Sequence, residues 1–174
     1  SLRYVKHPYE LKDPDMIVLP GTKNTMEDLL WMRESGMEAA VLKAASRGKF
    51  IFGICGGYQM LGETLEDPDQ VEAGGSMKGM GLLPMDTVFE KSKTRTRVEG
   101  FFGKLSGIWE PLSGKNLEGY EIHMGESRLK GKTKASISLM DHVTGKEKLD
   151  GACCENVCGT YVHGVFDREE VAEA

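Results

Sequence analysis

A short apolar strand runs into a cysteine and then into a helix in the segment KFIFGICGGYQMLG, residues 49–62. The run Phe50–Ile54 is aromatic and β-branched and too short for a helix, so it predicts a buried strand. Glycines flank Cys55 on both sides and allow a strained turn and the close approach of a ligand. This order of strand, sharp turn and helix is that of a nucleophile elbow, and it predicts Cys55 as the nucleophile.

The place of Cys55 at a helix N-terminus favours the thiolate, because unpaired N–H groups and the helix dipole attract negative charge. We therefore expect the pKa of Cys55 to lie below the value of about 8.5 that is usual for a free thiol. The N–H group of Gly56 points to where an oxyanion would form. The alternative is a cysteine that is merely packed in the core, which has no need of this glycine-rich turn.

A thiol nucleophile needs a base, and the chain contains four histidines. His163 ends the β-rich run Asn156–Asp167 and precedes a glycine, so it is the candidate base. His123 lies within an extended run and either lines the same rim or forms hydrogen bonds within the sheet. His7 and His142 lie in polar connections, where we expect them to be exposed.

Three further cysteines, at positions 153, 154 and 158, raise the alternative of a metal site. Structural zinc sites are usually built from paired Cys-x2-Cys elements, and this spacing differs. We therefore expect Cys153, Cys154 and Cys158 to be ordinary residues near a strand, with no bound metal. Four cysteines in 174 residues also do not indicate a disulfide framework, and this favours a reducing, cytoplasmic setting.

Length and charge exclude several classes of protein. The 174 residues are enough for one domain with a sizeable core. The formal net charge of −5, with no dominant basic patch, argues against nucleic-acid binding. No apolar run approaches the ~20 residues that a membrane-spanning helix needs, so no membrane association is expected.

Ahead of the elbow the chain alternates between strand and helix patterns. Leu2–Val5 and Met16–Leu19 predict strands, and residues 25–47 predict helical segments with a break at a glycine. Such an order predicts parallel strands with right-handed crossovers. Because ligands bind at the carboxyl ends of parallel strands, Gly21 and Cys55 are expected at one rim.

Beyond the elbow the pattern changes. Residues 66–81 predict a loop, and from Leu82 onward short extended pieces separated by glycines are typical of antiparallel strands and turns. The predicted fold class is α/β: three layers around a mostly parallel central sheet, with an antiparallel extension.

Four blocks of the sequence occur together and in this order in one known family. They are LPGTKNT (19–25), GICGGYQMLG (53–62), GYEIHMG (119–125) and GTYVHGVFD (159–167). The second block contains Cys-x-Gly-x-Gln, which is similar to the nucleophile motif of class I glutamine amidotransferases. Together the blocks resemble the C-terminal glutaminase domain of the cobyric acid synthase family, and this resemblance implies a flavodoxin-like fold.

The resemblance implies roles for the candidate residues. Cys55 would attack the side-chain amide of L-glutamine, and His163 would protonate the departing ammonia and then activate water. The oxyanion hole would consist of the N–H groups of Gly56 and of Gly21 or Thr22. The residues expected to hold the glutamine are Gln59, Thr22 and Gly57.

The chain departs from the related triad-type enzymes at one catalytic position. Where those enzymes have the acid of a His-Pro-Glu motif, this sequence has Val165. The resemblance therefore implies a Cys–His dyad. Three groups are candidates to orient the ring of His163: the carboxylates of Asp167 and Glu121, and a backbone carbonyl.

The resemblance also implies partners. In the family, ammonia passes to an N-terminal synthetase domain that uses ATP and Mg and amidates a corrinoid, adenosylcobyrinic acid a,c-diamide. Residues 1–174 are expected to form only the glutaminase domain, truncated at both ends and without a cofactor of its own. Its expected partners are L-glutamine, the synthetase domain and, through that domain, the corrinoid acceptor.

The loss of an outer strand would expose unpaired backbone groups, so we expect the fragment to be less stable than the full domain or to self-associate. Three other functions stay open at this stage. The first is the glutaminase domain of a related ligase that makes cobyrinic acid a,c-diamide or amidates lipid II. The second is a weakly active docking module. The third is a cysteine hydrolase with another acyl substrate.

Overall fold

All 174 residues are described by the computed structural model, in which ten strands form one sheet and four α-helices pack around it. The strands are β1 (Met16–Leu19), β2 (Phe50–Ile54), β3 (Thr64–Asp67), β4 (Gly75–Lys78), β5 (Met85–Phe102), β6 (Asn116–Leu129), β7 (Ala135–Asp141), β8 (Glu147–Cys154), β9 (Val157–Thr160) and β10 (Val162–His163). The α-helices are α1 (Thr25–Glu34), α2 (Met37–Ser46), α3 (Gly56–Met60) and α4 (Glu169–Ala172). Two short 3-10 helices cover Pro8–Glu10 and Gly107–Leu112.

The three strands at one end of the sheet form a parallel group, and this group positions the candidate site. Strand β1 pairs with β2, and β2 pairs with β9, both in parallel register. All three strands therefore end at the same edge, as expected for crossovers through α1 and α2. The loop after β1, the elbow after β2 and the segment after β9 meet at that edge.

The rest of the sheet is largely antiparallel. The order continues from β9 through β8 and β7 to β5, and the long strand β5 also pairs with β6. Strand β10 leaves the central group and pairs with β6, opposing Val162 to Glu121 and His163 to Tyr120. The predicted α/β fold with a parallel group and an antiparallel extension is confirmed.

Neighbouring side chains of β2 are buried on opposite faces of the sheet, and each face is covered by its own apolar layer. Ile51 belongs to the larger apolar cluster under α1, α2 and α3, while Phe52 belongs to a second cluster with Trp109 and Val171 on the opposite face. Both β2 residues are completely buried. Because side chains on a strand point alternately to the two faces, a run such as Phe50–Ile54 without polar residues indicates a strand covered on both sides.

Two expectations about secondary structure are wrong. Leu2–Val5 forms no strand, because it pairs with no other strand and β1 is the edge of the sheet. Leu2 and Tyr4 are accordingly 79% and 91% exposed. The region 66–81 is not only a loop, since it contains β4, which pairs with β3. The connection between these two strands is ordered by the carboxylate of Asp67, which accepts hydrogen bonds from three backbone N–H groups.

The expectation that the cysteines would not pair is also wrong. Cys153 and Cys158 oppose each other on the neighbouring strands β8 and β9 and form a disulfide. Sequence spacing did not show this pairing, because it depends on the tight turn that joins the two strands. Cys55 and Cys154 are the free thiols. No group of three or more His, Cys, Asp or Glu side chains is placed to hold a metal ion.

No helix of this structure is both long enough and apolar enough to cross a membrane.

Candidate active site

Cys55 occupies the elbow between β2 and α3 with φ 52° and ψ −110°. Few residues other than glycine adopt a positive φ, and such a conformation costs about 1–3 kcal/mol. Backbone contacts hold it in place: the N–H of Cys55 donates to the Thr160 carbonyl at 2.8 Å, and the Cys55 carbonyl accepts from the N–H of Gln59 at 2.9 Å. The predicted elbow is therefore present, and its strain marks Cys55 as a candidate functional residue.

Gly57 allows α3 to lie directly against the end of β1. A Cβ atom at this position would lie 2.1 Å from the carbonyl oxygen of Leu19, which is far inside contact distance. Gly57 is buried and faces this backbone, not an open surface. Gly57 therefore packs closely against the end of β1, and its expected part in holding glutamine stays a prediction.

We expect Gly57→Ala to lower the free energy of unfolding by about 3 kcal/mol, because the new methyl group must displace backbone atoms. Gly103→Ala is the matched control, since its Cβ would lie at an ordinary 3.5 Å from the nearest atom, the Ser136 carbonyl oxygen. Urea unfolding of the two variants and the unsubstituted chain measures the difference. Equal stability of the two variants would contradict the packing described here.

Cys55 and His163, the candidate nucleophile and base, both lie against Gly21. A Cβ atom on Gly21 would lie 2.6 Å from Cε1 of His163 and 3.5 Å from Cβ of Cys55. Both side chains thus border the same glycine at the carboxyl edge of the parallel strands. Residues that are 108 positions apart in sequence are brought together because β2 and β9 are neighbours.

The backbone carbonyl of Ile122 lies beside both members of the pair. The thiol of Cys55 donates to it at 3.4 Å. The same carbonyl is close enough to the His163 ring to favour the protonated imidazole, although burial has the larger effect and the pKa of His163 lies below its usual value. His163 is therefore neutral near pH 7 and can accept a proton.

The pKa of Cys55 differs from the expectation. Burial raises it to about 11, and the hydrogen bond from the Gly56 N–H only partly opposes this rise. The helix that follows has only five residues, and the side chain of Cys55 is 5% exposed. The effect of desolvation on the pKa of Cys55 thus outweighs the effect of the helix N-terminus. Near pH 7 the thiol of Cys55 is therefore protonated and the imidazole of His163 is neutral.

Backbone nitrogens from the start of α3 and from the loop after β1 lie at the elbow. The N–H of Gly56 faces the sulfur. The N atom of Thr22 lies 3.1 Å from the position that a Cβ of Gly56 would take, so the loop after β1 contacts the elbow. The hydroxyl of Thr22 is engaged elsewhere, because it donates to the carboxylate of Asp28. Both the backbone nitrogen and the side-chain methyl group of Thr22 thus lie against Gly56, while its hydroxyl is bonded to Asp28.

Gln59 is held inside the protein. Its Oε1 accepts from the Thr25 hydroxyl at 3.1 Å, and its Nε2 donates to the Met124 carbonyl and the Tyr161 hydroxyl, both at 3.2 Å. The side chain is 2% exposed. Gln59 thus connects α3 to β6 and to Tyr161, and its expected part in holding glutamine stays a prediction.

Neither carboxylate proposed to orient His163 contacts it. Glu121 is buried and binds Lys148 and, at 3.5 Å, Nε2 of His123. Asp167 is exposed, and neither residue forms a hydrogen bond or an ion pair with the ring of His163. Of the three candidates, the backbone carbonyl alone lies at the ring, and it belongs to Ile122.

Asp167→Asn is expected to keep kcat within about threefold of the unsubstituted chain, because its carboxylate does not reach His163. In a triad with a buried orienting acid, the same change lowers kcat by about 10⁴. Steady-state kinetics at pH 7.5 distinguish the two cases. A loss of a hundredfold or more would show that Asp167 moves against the ring during the reaction.

Sequence reasoning missed the residues that support the site from behind. The ring of Tyr161 stacks on His123 with centroids 3.8 Å apart, and its hydroxyl lies 2.5 Å from that of Ser127. Asp150 and Thr160 form a buried pair at the end of β9. The available signal for the pair was a lone acid in the otherwise apolar end of β8, LDGACC.

Comparison with known proteins agrees with this geometry. Residues 1–171 match the family model described as the CobB/CobQ-like glutamine amidotransferase domain. The chain is 57% identical over 173 residues to a cobyric acid synthase of Ruminiclostridium cellulolyticum. The matched region covers 98% of this chain and 34% of that protein. A cobyric acid synthase of Lachnoclostridium phytofermentans is 49% identical over 181 residues, covering 99% and 35%. The chain thus spans about a third of the length of these relatives.

Solved structures with the same fold are more distant in sequence. One structure, described as a glutamine amidotransferase, superposes with a TM-score of 0.62 at 16% identity. The superposed region covers 97% of this chain and 80% of the other chain. PurLQS from Thermotoga maritima gives a TM-score of 0.58 at 20% identity, covering 92% and 74%. These similarities establish the fold.

Proposed function

This chain belongs to the CobB/CobQ-like glutamine amidotransferase family, and we propose that its Cys55–His163 pair hydrolyses L-glutamine and releases ammonia. The observation that carries the proposal is the meeting of a strained, elbow-mounted cysteine with a neutral histidine at Gly21. A packed cysteine needs neither the positive φ nor a histidine beside it. The two side chains are the nucleophile and the base that amide hydrolysis requires.

In the first half of the reaction, the sulfur of Cys55 bonds to the side-chain carbonyl carbon of glutamine while His163 takes the thiol proton. The carbonyl oxygen becomes an oxyanion, and the backbone N–H groups of Gly56 and of Gly21 or Thr22 stabilise it by donating hydrogen bonds. His163 then gives its proton to the nitrogen, and the carbon–nitrogen bond breaks. Ammonia leaves, and a γ-glutamyl thioester stays on Cys55.

In the second half, His163 is neutral again and takes a proton from water. The hydroxide bonds to the thioester carbon, the carbon–sulfur bond breaks, and the sulfur recovers its proton from His163. The products are glutamate and a free thiol. The carbonyl of Ile122 lies beside the imidazole in this structure, and this supports a ring orientation that needs no carboxylate.

For the whole protein of which this domain forms about a third of the length, we propose that the ammonia serves ATP-dependent amidation. The high identity to cobyric acid synthases supports adenosylcobyrinic acid a,c-diamide as the acceptor and an N-terminal synthetase domain as the partner that holds ATP and Mg. The reaction would then yield cobyric acid, and its need for ATP supports a cytoplasmic location.

The test is amidation by a chain of the full length of these relatives, supplied with ATP, Mg and the corrinoid. We expect amidation with either L-glutamine or ammonium as the nitrogen source. The Cys55→Ala variant should use ammonium alone, because it lacks the nucleophile but keeps the synthetase. Equal use of glutamine by both proteins would refute the proposal, as would an acceptor other than the corrinoid.

A further inference from the structure

We propose that Asp150 and Thr160 are positioning residues that hold the end of β9 and thereby set His163 against Cys55. This inference rests on the proposed function of the Cys55–His163 pair. Asp150 and Thr160 themselves lie behind the site and do not touch the reacting atoms. Its importance follows from the break in the chain between β9 and β10, where Tyr161 belongs to neither strand.

The break at Tyr161 is held by side-chain groups. The hydroxyl of Thr160 donates to Oδ2 of Asp150, and the N–H of Tyr161 lies 3.2 Å from the same oxygen. The Thr160 hydroxyl oxygen also accepts from the N–H of Val162 at 3.0 Å. One carboxylate and one hydroxyl thus take up the two backbone donors that the break would otherwise leave buried and unpaired.

Both catalytic groups depend directly on this short segment. The carbonyl of Thr160 accepts the N–H of Cys55 at 2.8 Å, so Thr160 fixes the backbone of the elbow. His163 follows three residues later, after the chain has turned from β2 toward β6. A rotation at the break would therefore move His163 relative to Cys55 while leaving most of the sheet unchanged.

The charge of Asp150 is costly where it lies. The residue is 7% exposed, and no lysine, arginine or histidine pairs with it. Burial raises its pKa to about 6, and the nearby Glu121 adds to the rise while the Thr160 hydroxyl opposes it. A buried carboxylate without an opposite charge beside it destabilises a fold, so its presence here favours a role in the geometry of the site.

A second pair in the same sheet shows the ordinary structural version of this contact. The hydroxyl of Thr96 donates to Asp141 at 2.8 Å, and that carboxylate also accepts two backbone N–H groups of a turn. Lys148 lies 3.8 Å from Asp141, and the backbone and hydroxyl donors lower the Asp141 pKa to about 2. Thr96 is therefore the matched control for Thr160.

The experiment compares Thr160→Val, Thr160→Ser, Asp150→Asn and the control Thr96→Val in the 174-residue chain. Two readouts are taken at pH 7.5: kcat and KM for L-glutamine, and the rate at which iodoacetamide alkylates Cys55, resolved from Cys154 by peptide mass spectrometry. The alkylation rate reports the pairing of Cys55 with His163 without any glutamine. It therefore decides the inference even if the chain hydrolyses no glutamine, which would count against the proposed function alone.

We expect Thr160→Val and Asp150→Asn to lower kcat at least tenfold with KM within threefold, and to change the Cys55 alkylation rate at least fivefold. Thr160→Ser should restore both values to within threefold, and Thr96→Val should leave both unchanged. If Thr160→Val does not fold, Asp150→Asn decides the matter, because it alters charge without volume. Folded variants with unchanged alkylation and kcat, or a Thr160→Ser variant as impaired as Thr160→Val, would overturn the inference.

Discussion

Cys55→Ala is expected to reduce ammonia release from L-glutamine by at least ~10³-fold, because no other group in the site can form the thioester. The substitution removes one sulfur from a buried position, and the elbow backbone is held by its own hydrogen bonds, so the variant should fold. An enzyme-coupled assay for ammonia at pH 7.5 measures the rate, and circular dichroism checks the fold.

Cys154→Ala is the matched control for this variant. Cys154 is the other free thiol, and it lies on β8, outside the site. It should retain the full rate. Ammonia release that falls equally in both variants, or that survives in Cys55→Ala, would mean that the elbow cysteine is not the nucleophile.

His163→Gln is expected to lower kcat by about 10²–10⁴-fold, the usual contribution of a general base. Burial raises the pKa of Cys55 to about 11, so the thiol scarcely ionises near neutral pH without a base beside it. His142→Gln is the control, since His142 is largely exposed and its only ion-pair partner is Glu99. It should have an unchanged kcat. Equal kcat for the two variants would exclude His163 as the base.

The pH profile gives a second test of His163. Only the neutral imidazole can take the thiol proton, so kcat/KM should fall as the pH falls through the His163 pKa. Burial places that pKa below the usual 6.5, and the acid limb should therefore have its midpoint below pH 6.5. In His163→Gln this limb should disappear. A midpoint above pH 7 would indicate another titrating group.

Most of the fold followed from local patterns in the sequence. The apolar run of β2 and its flanking glycines determined the elbow, and Gly36, with φ +82°, separates α1 from α2 where a break was expected. The strand expected at Leu2–Val5 failed for a non-local reason, since a strand needs a neighbour and the sheet ends at β1. Local propensity does not report where a sheet has its edge.

Only part of the candidate site, likewise, could be predicted from local patterns in the sequence. Cys55 and His163 could be singled out as candidates because each ends a β-rich run beside a glycine, and the structure brings both against Gly21. The group beside the His163 ring could not be predicted, because it is the Ile122 carbonyl, and a backbone group carries no sequence signal. The pKa of Cys55 was misjudged for a related reason. Burial depends on packing across the whole sheet, and it outweighed the local helix terminus.

The most direct test of the Cys–His account is the capture of the thioester itself. The chain is mixed with L-glutamine, quenched in acid within milliseconds to seconds, and digested for mass spectrometry of the peptide that contains Cys55. We predict a γ-glutamyl group on Cys55 that hydroxylamine removes and that is absent from the peptide that contains Cys154. Glutamine hydrolysis that proceeds with no acyl group on Cys55 at any quench time would contradict the account.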